Sequence, residues 1–175
     1  MPGVQSGLPP VPQAVVGTLT RAAIFIVATV NSGGASREAV RSFCGDLPAL
    51  LRAVGFRDIE GNLSCVMGIG SDAWDRLFGQ PRPAELHPFR EFKAGSRHAV
   101  ATPGDLLFHI RAKRMDLCFE LATQIMARLG EAVSMPPQAT VSFDQSVGAE
   151  RANEKARVMA SDIVQKLQAF AAKKK

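Results

Sequence analysis

Apolar positions along the chain follow two periods in turn. From Arg21 to Val30 they form a β-branched run, Ala22-Ala23-Ile24-Phe25-Ile26-Val27-Ala28, of strand length. Asn31-Ser32-Gly33-Gly34 reads as a turn, with Ser36 as the expected cap of the next helix. From Arg37 to about Val54 the residues Val40, Phe43, Cys44, Leu47, Leu50, Leu51 and Val54 recur at three- and four-residue steps, the signature of a helix. Pro48 sits inside that pattern, so a kink or break is expected there, and Gly55 is the expected stop. A second strand is predicted over Leu63 to Ile69, ending in Gly70-Ser71. A short helix, Ala73 to Phe78, follows; Ser71 and Asp72 are its expected caps and Gly79 its end. Residues 80–104 read as an ordered excursion without regular structure. Asp105 to Arg111 is the third strand, and Met115 to Leu129 a second long helix with Leu117, Cys118, Leu121, Ile125, Met126 and Leu129 on one side, stopped by Gly130. A fourth short strand is expected from Glu131-Ala132-Val133.

This order of long elements is βαββαβ, the ferredoxin-like α+β pattern, whose antiparallel sheet carries two helices on one face. In the first strand Phe25 and Val27 alternate with Ile24 and Ile26, so both faces of the sheet are apolar and both need cover. After Met135 the pattern changes. Pro136-Pro137 breaks the chain and residues 138–148 are polar. Residues 150–172 then read as an amphipathic helix, with Ala152, Ala156, Met159, Ile163, Val164, Leu167 and Phe170 on one stripe. The expected organisation is an extended lead-in over 1–20, a ferredoxin-like domain over 21–135, and a linker with a C-terminal helix over 136–175.

Composition narrows the function classes. The 175 residues are 46% hydrophobic and 21% charged, enough apolar material for a core. No apolar run approaches the ~18 residues of a membrane-spanning helix, and Met1-Pro2-Gly3-Val4 does not open like a secretory leader. Cys44, Cys65 and Cys118 are odd in number and widely spaced, which fits a reducing cytoplasm better than a disulfide framework or zinc site. The net charge of +5 is concentrated at one end: residues 1–148 hold 14 basic and 13 acidic side chains, residues 149–175 hold 7 and 3. With no Tyr, and Phe and Trp74 set mostly among aliphatics, no nucleic-acid partner is expected.

Candidate chemistry is sparse. His109 lies mid-strand beside Phe108 and Ile110, where a histidine hydrogen-bonded to a neighbour is favoured over a metal ligand. His87 and His98 are expected in a loop, without Cys or carboxylate at ligand spacing. Gly68-Ile69-Gly70 lacks the third glycine of a dinucleotide loop and reads as a strand-to-helix turn. Asp72 and Asp75 flank Trp74 at a helix start, where they complement its dipole. Cys65 and Cys118 fall on apolar faces as inert core thiols. No catalytic residue is assigned, no metal site is expected, and no cofactor-binding residue is named.

Several segments, in order, resemble the N-terminal half of the dye-decolourising (DyP-type) haem peroxidases. They begin with Val4-Gln5-Ser6-Gly7 and Arg21-Ala22-Ala23-Ile24-Phe25. Next come Gly68-Ile69-Gly70-Ser71-Asp72-Ala73-Trp74 and Pro83-Ala84-Glu85-Leu86-His87-Pro88-Phe89. The longest stretch is Ala101-Thr102-Pro103-Gly104-Asp105-Leu106-Leu107-Phe108-His109-Ile110-Arg111, leading into Arg114-Met115-Asp116-Leu117-Cys118-Phe119-Glu120-Leu121. The resemblance implies haem as cofactor and oxidation of organic substrates by hydrogen peroxide. It also implies two ferredoxin-like halves joined through a Gly-x-x-Asp-Gly motif, the second half supplying a distal Arg and the proximal His. This sequence holds no Gly-x-x-Asp-Gly, no Asp-Gly pair and no histidine after His109; where the motif should begin it reads Pro136-Pro137-Gln138-Ala139-Thr140. The resemblance therefore carries over no catalytic residue. Two readings follow. One is an incomplete peroxidase-family chain (a fragment, a frameshifted product or half of a split enzyme), inactive alone. The other is a stand-alone ferredoxin-like binding or assembly module, its C-terminal helix covering the surface a second half would occupy. A homo-oligomer, most simply a dimer, or a complementary second half is the expected partner.

Overall fold

A computed structural model describes residues 12–79, 81–101, 103–135 and, by backbone alone, 140–144. Strand β1 (Ala22–Val30) leads into helix α1 (Gly34–Gly55), strand β2 (Ser64–Ile69) and the short helix α2 (Ser71–Phe78). A small hairpin, β3 (Phe92–Ala94) and β4 (Arg97–Ala99), precedes β5 (Leu106–Ala112), α3 (Met115–Leu129), β6 (Val133–Ser134) and β7 (Thr140–Asp144). The main sheet is antiparallel in the order β2-β5-β1-β6, with β7 also pairing along β1. Numbered by their place in βαββαβ, its strands run second, third, first, fourth, the ferredoxin-like order expected from the sequence.

Alternation along the strands builds the core. Ala22, Ile24, Ile26, Ala28 and Val30 of β1, with Leu106, Phe108, Ile110 and Ala112 of β5, point to one face and are buried. Val40, Phe43, Leu47, Leu50 and Val54 of α1 and Leu117, Cys118, Leu121, Ile125 and Leu129 of α3 pack over that face. Phe43 meets Phe108 edge-on, with ring centroids 6.0 Å apart.

Five local expectations are corrected. First, α1 runs unbroken through Pro48, because buried Phe43 and Leu47 before it and Leu50 and Val54 after it anchor both arms on the same core. Second, α1 starts at Gly34 behind Gly33, whose φ of 123° turns the chain; Ser36 caps nothing. Third, Ser71 and Asp72 do not cap α2. Gly70 is its N-cap and Ser71 is a buried first-turn residue. Fourth, residues 80–104 contain the β3–β4 hairpin, whose three-residue strands turn at Gly95 and are too short to show a period. Fifth, part of the polar stretch 138–148 is a strand: β7 pairs Thr140 with Ile26 and Asp144 with Ala22, so the sheet takes in residues beyond 135. The helix expected over 150–172 lies outside the described residues.

Candidate functional site

The sheet face turned away from α1 and α3 carries the side chains that the core does not use. Register places Ala23, Phe25 and Val27 of β1 beside Arg111, His109 and Leu107 of β5, and these beside Ser64, Val66 and Gly68 of β2. Residues at such alternate positions share a face. Leu107 is 42% exposed, and Phe25, Val27, Val66 and His109 are half-buried. His109 stacks on Phe25 with centroids 4.2 Å apart and planes 12° apart. Burial and the nearby Arg111 cation hold the His109 pKa below its usual 6.5, favouring the neutral ring. The sequence led to the expectation of a histidine hydrogen-bonded to a neighbour; the contact found is this ring stack instead.

The lead-in supports one edge of that face. The Gln13 side-chain amide imitates a strand neighbour: its Nε2 donates to the Met67 carbonyl at 3.0 Å, and its Oε1 accepts from Met67 N–H at 2.7 Å. Arg111 Nη2 donates to the Ala14 carbonyl at 2.8 Å, while Arg111 Nε is buried without a hydrogen-bond partner among the described residues. Val15, Val16 and Leu19, on the same lead-in, are exposed.

At the other end of the sheet Asp105 ties three elements together. Its Oδ2 accepts from Val30 N–H at 2.7 Å and its Oδ1 lies 2.6 Å from Arg76 Nη2 of α2. Its backbone carbonyl accepts from Gly70 N–H at 2.8 Å, and its own N–H donates to the Ala28 carbonyl. A Cβ at Gly70 would stand 3.0 Å from the Gly104 carbonyl oxygen. Gly70 stands at the expected strand-to-helix turn, as the N-cap between β2 and α2; its φ of −66° is ordinary, and glycine is required there for the close approach to Gly104. Sequence reading missed the Asp105 cluster, since its partners lie up to 75 residues away.

The other candidates are dispersed. His98 falls in strand β4, not a loop, and its Nε2 lies 3.1 Å from Glu91 Oε2, a carboxylate partner that spacing did not reveal. His87 Nδ1 lies 2.9 Å from the Pro88 carbonyl oxygen. Asp75 pairs with Arg82, whereas Asp72 makes no capping hydrogen bond. Burial raises the Cys65 and Cys118 thiols to about 12, in keeping with inert core residues, and all three cysteines are free. Among the described residues no three His, Cys, Asp or Glu side chains come together as a metal site, and no helix is long and apolar enough to cross a membrane. A cleft of about 360 Å³ opens between the end of α1 and the start of α3, lined by Val54, Leu117, Arg57, Arg114 and the carboxylates of Asp58, Asp116 and Glu120. It offers no axial ligand for haem iron, and none of the three histidines lines it.

Among the described residues, α1 and α3 cover one face of this ferredoxin-like sheet, and the other face carries the part-exposed apolar side chains of Phe25, Val27 and Leu107. Comparison with known proteins gives the family. The model for the N-terminal part of Dyp-type peroxidases matches residues 12–139, and the chain belongs to that family. It is 56% identical over 128 residues to the dye-decolorizing peroxidase of Rhodococcus erythropolis, covering 73% of this chain and 37% of that protein. It is 55% identical over 125 residues to the Mycobacterium tuberculosis dye-decolorizing peroxidase, covering 71% of this chain and 36% of that one. Among solved structures, the encapsulated DyP-type peroxidase of Mycobacterium smegmatis superposes with a TM-score of 0.73 at 50% identity, over 78% of this chain and 43% of that chain. DyPB from Rhodococcus jostii superposes with a TM-score of 0.72 at 41% identity, over 77% and 43%. The chain thus spans about a third of the length of the curated relatives it matches.

Proposed function

We propose that this chain is a catalytically silent layer of a DyP-type peroxidase architecture, and that its outer sheet face is its working surface. In the whole family architecture the reaction is hydrogen-peroxide-dependent oxidation of organic substrates at haem, and a Rhodococcus jostii relative has been solved in complex with haem. The observation that carries the reading is the placement of the three histidines. His87 is engaged by the loop backbone, His98 by Glu91, and His109 is stacked flat on Phe25. None lines the cleft between α1 and α3, and the 175 residues contain no Gly-x-x-Asp-Gly carboxylate to handle a peroxide proton.

The face suits one of two partners, a complementary second half bearing the haem ligands or a second copy of this chain as a dimer. The three free thiols support a reducing, cytoplasmic setting. The test is titration of the purified chain with haemin, followed in the Soret band. The expected result is no stoichiometric, histidine-dependent shift. A one-to-one shift abolished by replacing His87, His98 or His109 would overturn the reading.

A further inference from the structure

The corner where the end of α1 meets the start of α3 combines a fixed frame with groups that the fold does not use. Gly61 packs so closely on Leu117 that a Cβ there would collide with its Cδ1. Asp58 Oδ1 accepts from Gly61 N–H at 2.9 Å, and Lys113 N–H donates to the Gly61 carbonyl at 2.8 Å. Arg114 is held by Asp116 and, at 3.4 Å, by Asp58. The cleft of about 360 Å³ inside this frame has buried Val54 and Leu117 as its apolar lining. Two charged groups on its wall stay unmatched among the described residues. Exposed Arg57 makes no ion pair or hydrogen bond, and Glu120 is engaged only by the neutral Gln124 amide, at 3.1 Å. Phe56 and Ile59, in the stretch of chain that supplies Val54, Arg57 and Asp58, are each 81% exposed.

We propose that this corner is a two-fold contact with a second copy of the chain, in which Arg57 of each copy pairs with Glu120 of the other, and Phe56 and Ile59 of each lie over the other's cleft. Self-complementarity carries the choice of occupant. A two-fold interface presents one patch to itself, so every knob needs a hollow and every cation an anion on the same patch. This corner has both pairs: Phe56 and Ile59 beside a hollow lined by Val54 and Leu117, and Arg57 beside Glu120. Within one copy Arg57 and Glu120 line the same cleft without pairing, so a second copy joins them twice and breaks no existing ion pair. Arg114, Asp58 and Asp116 are already matched to one another and frame the contact. A small zwitterion would answer Arg57 and Glu120 but leave Phe56 and Ile59 in water, whereas a second copy engages all four.

The frame explains how few groups suffice. Close glycine packing and backbone hydrogen bonds hold the cleft in shape before association, so little ordering is required on binding. The contact uses neither the outer sheet face nor any histidine. Its failure would leave the functional reading as it stands, and failure of that reading would leave this contact.

Charge exchange in the full chain tests it, with mass read by sedimentation equilibrium and folding by circular dichroism. The parent chain is expected to dimerise with rising concentration, and more weakly as salt is raised. Arg57→Glu and Glu120→Arg each set like charges against each other twice, and each is expected to raise the dimer Kd at least about tenfold while the monomer stays folded. Mixing the two variants is expected to restore a dimer, since each supplies the charge the other lacks. The double variant is expected to dimerise again by itself. Phe56→Ser, on the same patch but uncharged, is expected to weaken the parent dimer as well. A parent chain that stays monomeric, charge variants or a Phe56→Ser chain that dimerise like the parent, or a mixture of the two charge variants that remains monomeric would each overturn the proposal.

Discussion

His109 and Phe25 face each other across β5 and β1 as a flat stack, 4.2 Å between ring centroids, on the sheet face that α1 and α3 leave open. The geometry ties a titratable ring to an apolar surface, and Arg111 places a cation on the same strand and face. Protonating His109 means charging a ring pressed on Phe25 within reach of Arg111.

The first consequence is a pH dependence with a defined sign. The folded-state pKa of His109 lies below its unfolded value near 6.5, so below that pH the unfolded chain binds more protons. The neutral stack contributes its full stability above about 6.5, and that contribution is lost progressively as pH falls toward the folded-state pKa. The stability difference between the parent chain and His109→Gln, from urea midpoints, is therefore expected to move against the parent between pH 7.5 and 5.5. A difference that stays flat, or moves the other way, would contradict this account of the stack.

Asp105 is expected to matter more for stability than any exposed ion pair in the fold. Replacing it by Ala leaves Val30 N–H without its acceptor and releases Arg76. Hydrogen bonds to charged groups put the loss at about 2–3 kcal/mol. Arg76→Ala removes the ion pair and the long contacts of Arg76 with the Asp72 and Val30 carbonyls (3.4 and 3.5 Å), from a side chain 43% exposed, and is expected to cost about 1 kcal/mol or less. Chemical denaturation of the two variants, with unchanged m-values, checks the ranking.

The thiols give a third test. Cys65 and Cys118 are buried with pKa values raised to about 12, whereas Cys44 is half-buried and less strongly perturbed. Thiolate is the reactive form. A disulfide reagent at pH 8 is expected to modify Cys44 first, with Cys65 and Cys118 reacting only at the rate of opening of the core. Rapid modification of all three in native buffer would show that the β2–β5–α3 packing is wrong.

Much of this fold is legible in the residues, for local reasons. The period of two in Ala22–Val30 and of three to four in Val40–Val54 and Leu117–Leu129 survives any context, because burial of one face is what holds each element. What escaped is long-range. The Gln13 amide that clips β2 acts across 54 residues, and the Asp105 carboxylate that caps β1 across 75. Pro48 misled because a local rule, the lost N–H, was outweighed by tertiary packing on both sides. In β7, Thr140-Val141-Ser142-Phe143-Asp144 does alternate, but five residues between polar flanks are too few to stand out. The outer face was anticipated from Phe25 and Val27 alternating with Ile24 and Ile26. Its pairing with His109 and Arg111 needed the register of β1 on β5.

Catalytic silence is the point on which the functional reading turns. Its most direct measurement is steady-state oxidation of a dye by hydrogen peroxide, using the purified 175-residue chain with equimolar haemin and the same haemin free in buffer as reference. Turnover equal to that of free haemin within about twofold is expected, because haem without a protein axial ligand and a proton-handling carboxylate lacks the main levers on O–O cleavage. Turnover ten or more times that of free haemin, saturating at one haem per chain and lost on replacing His87, His98 or His109, would contradict it.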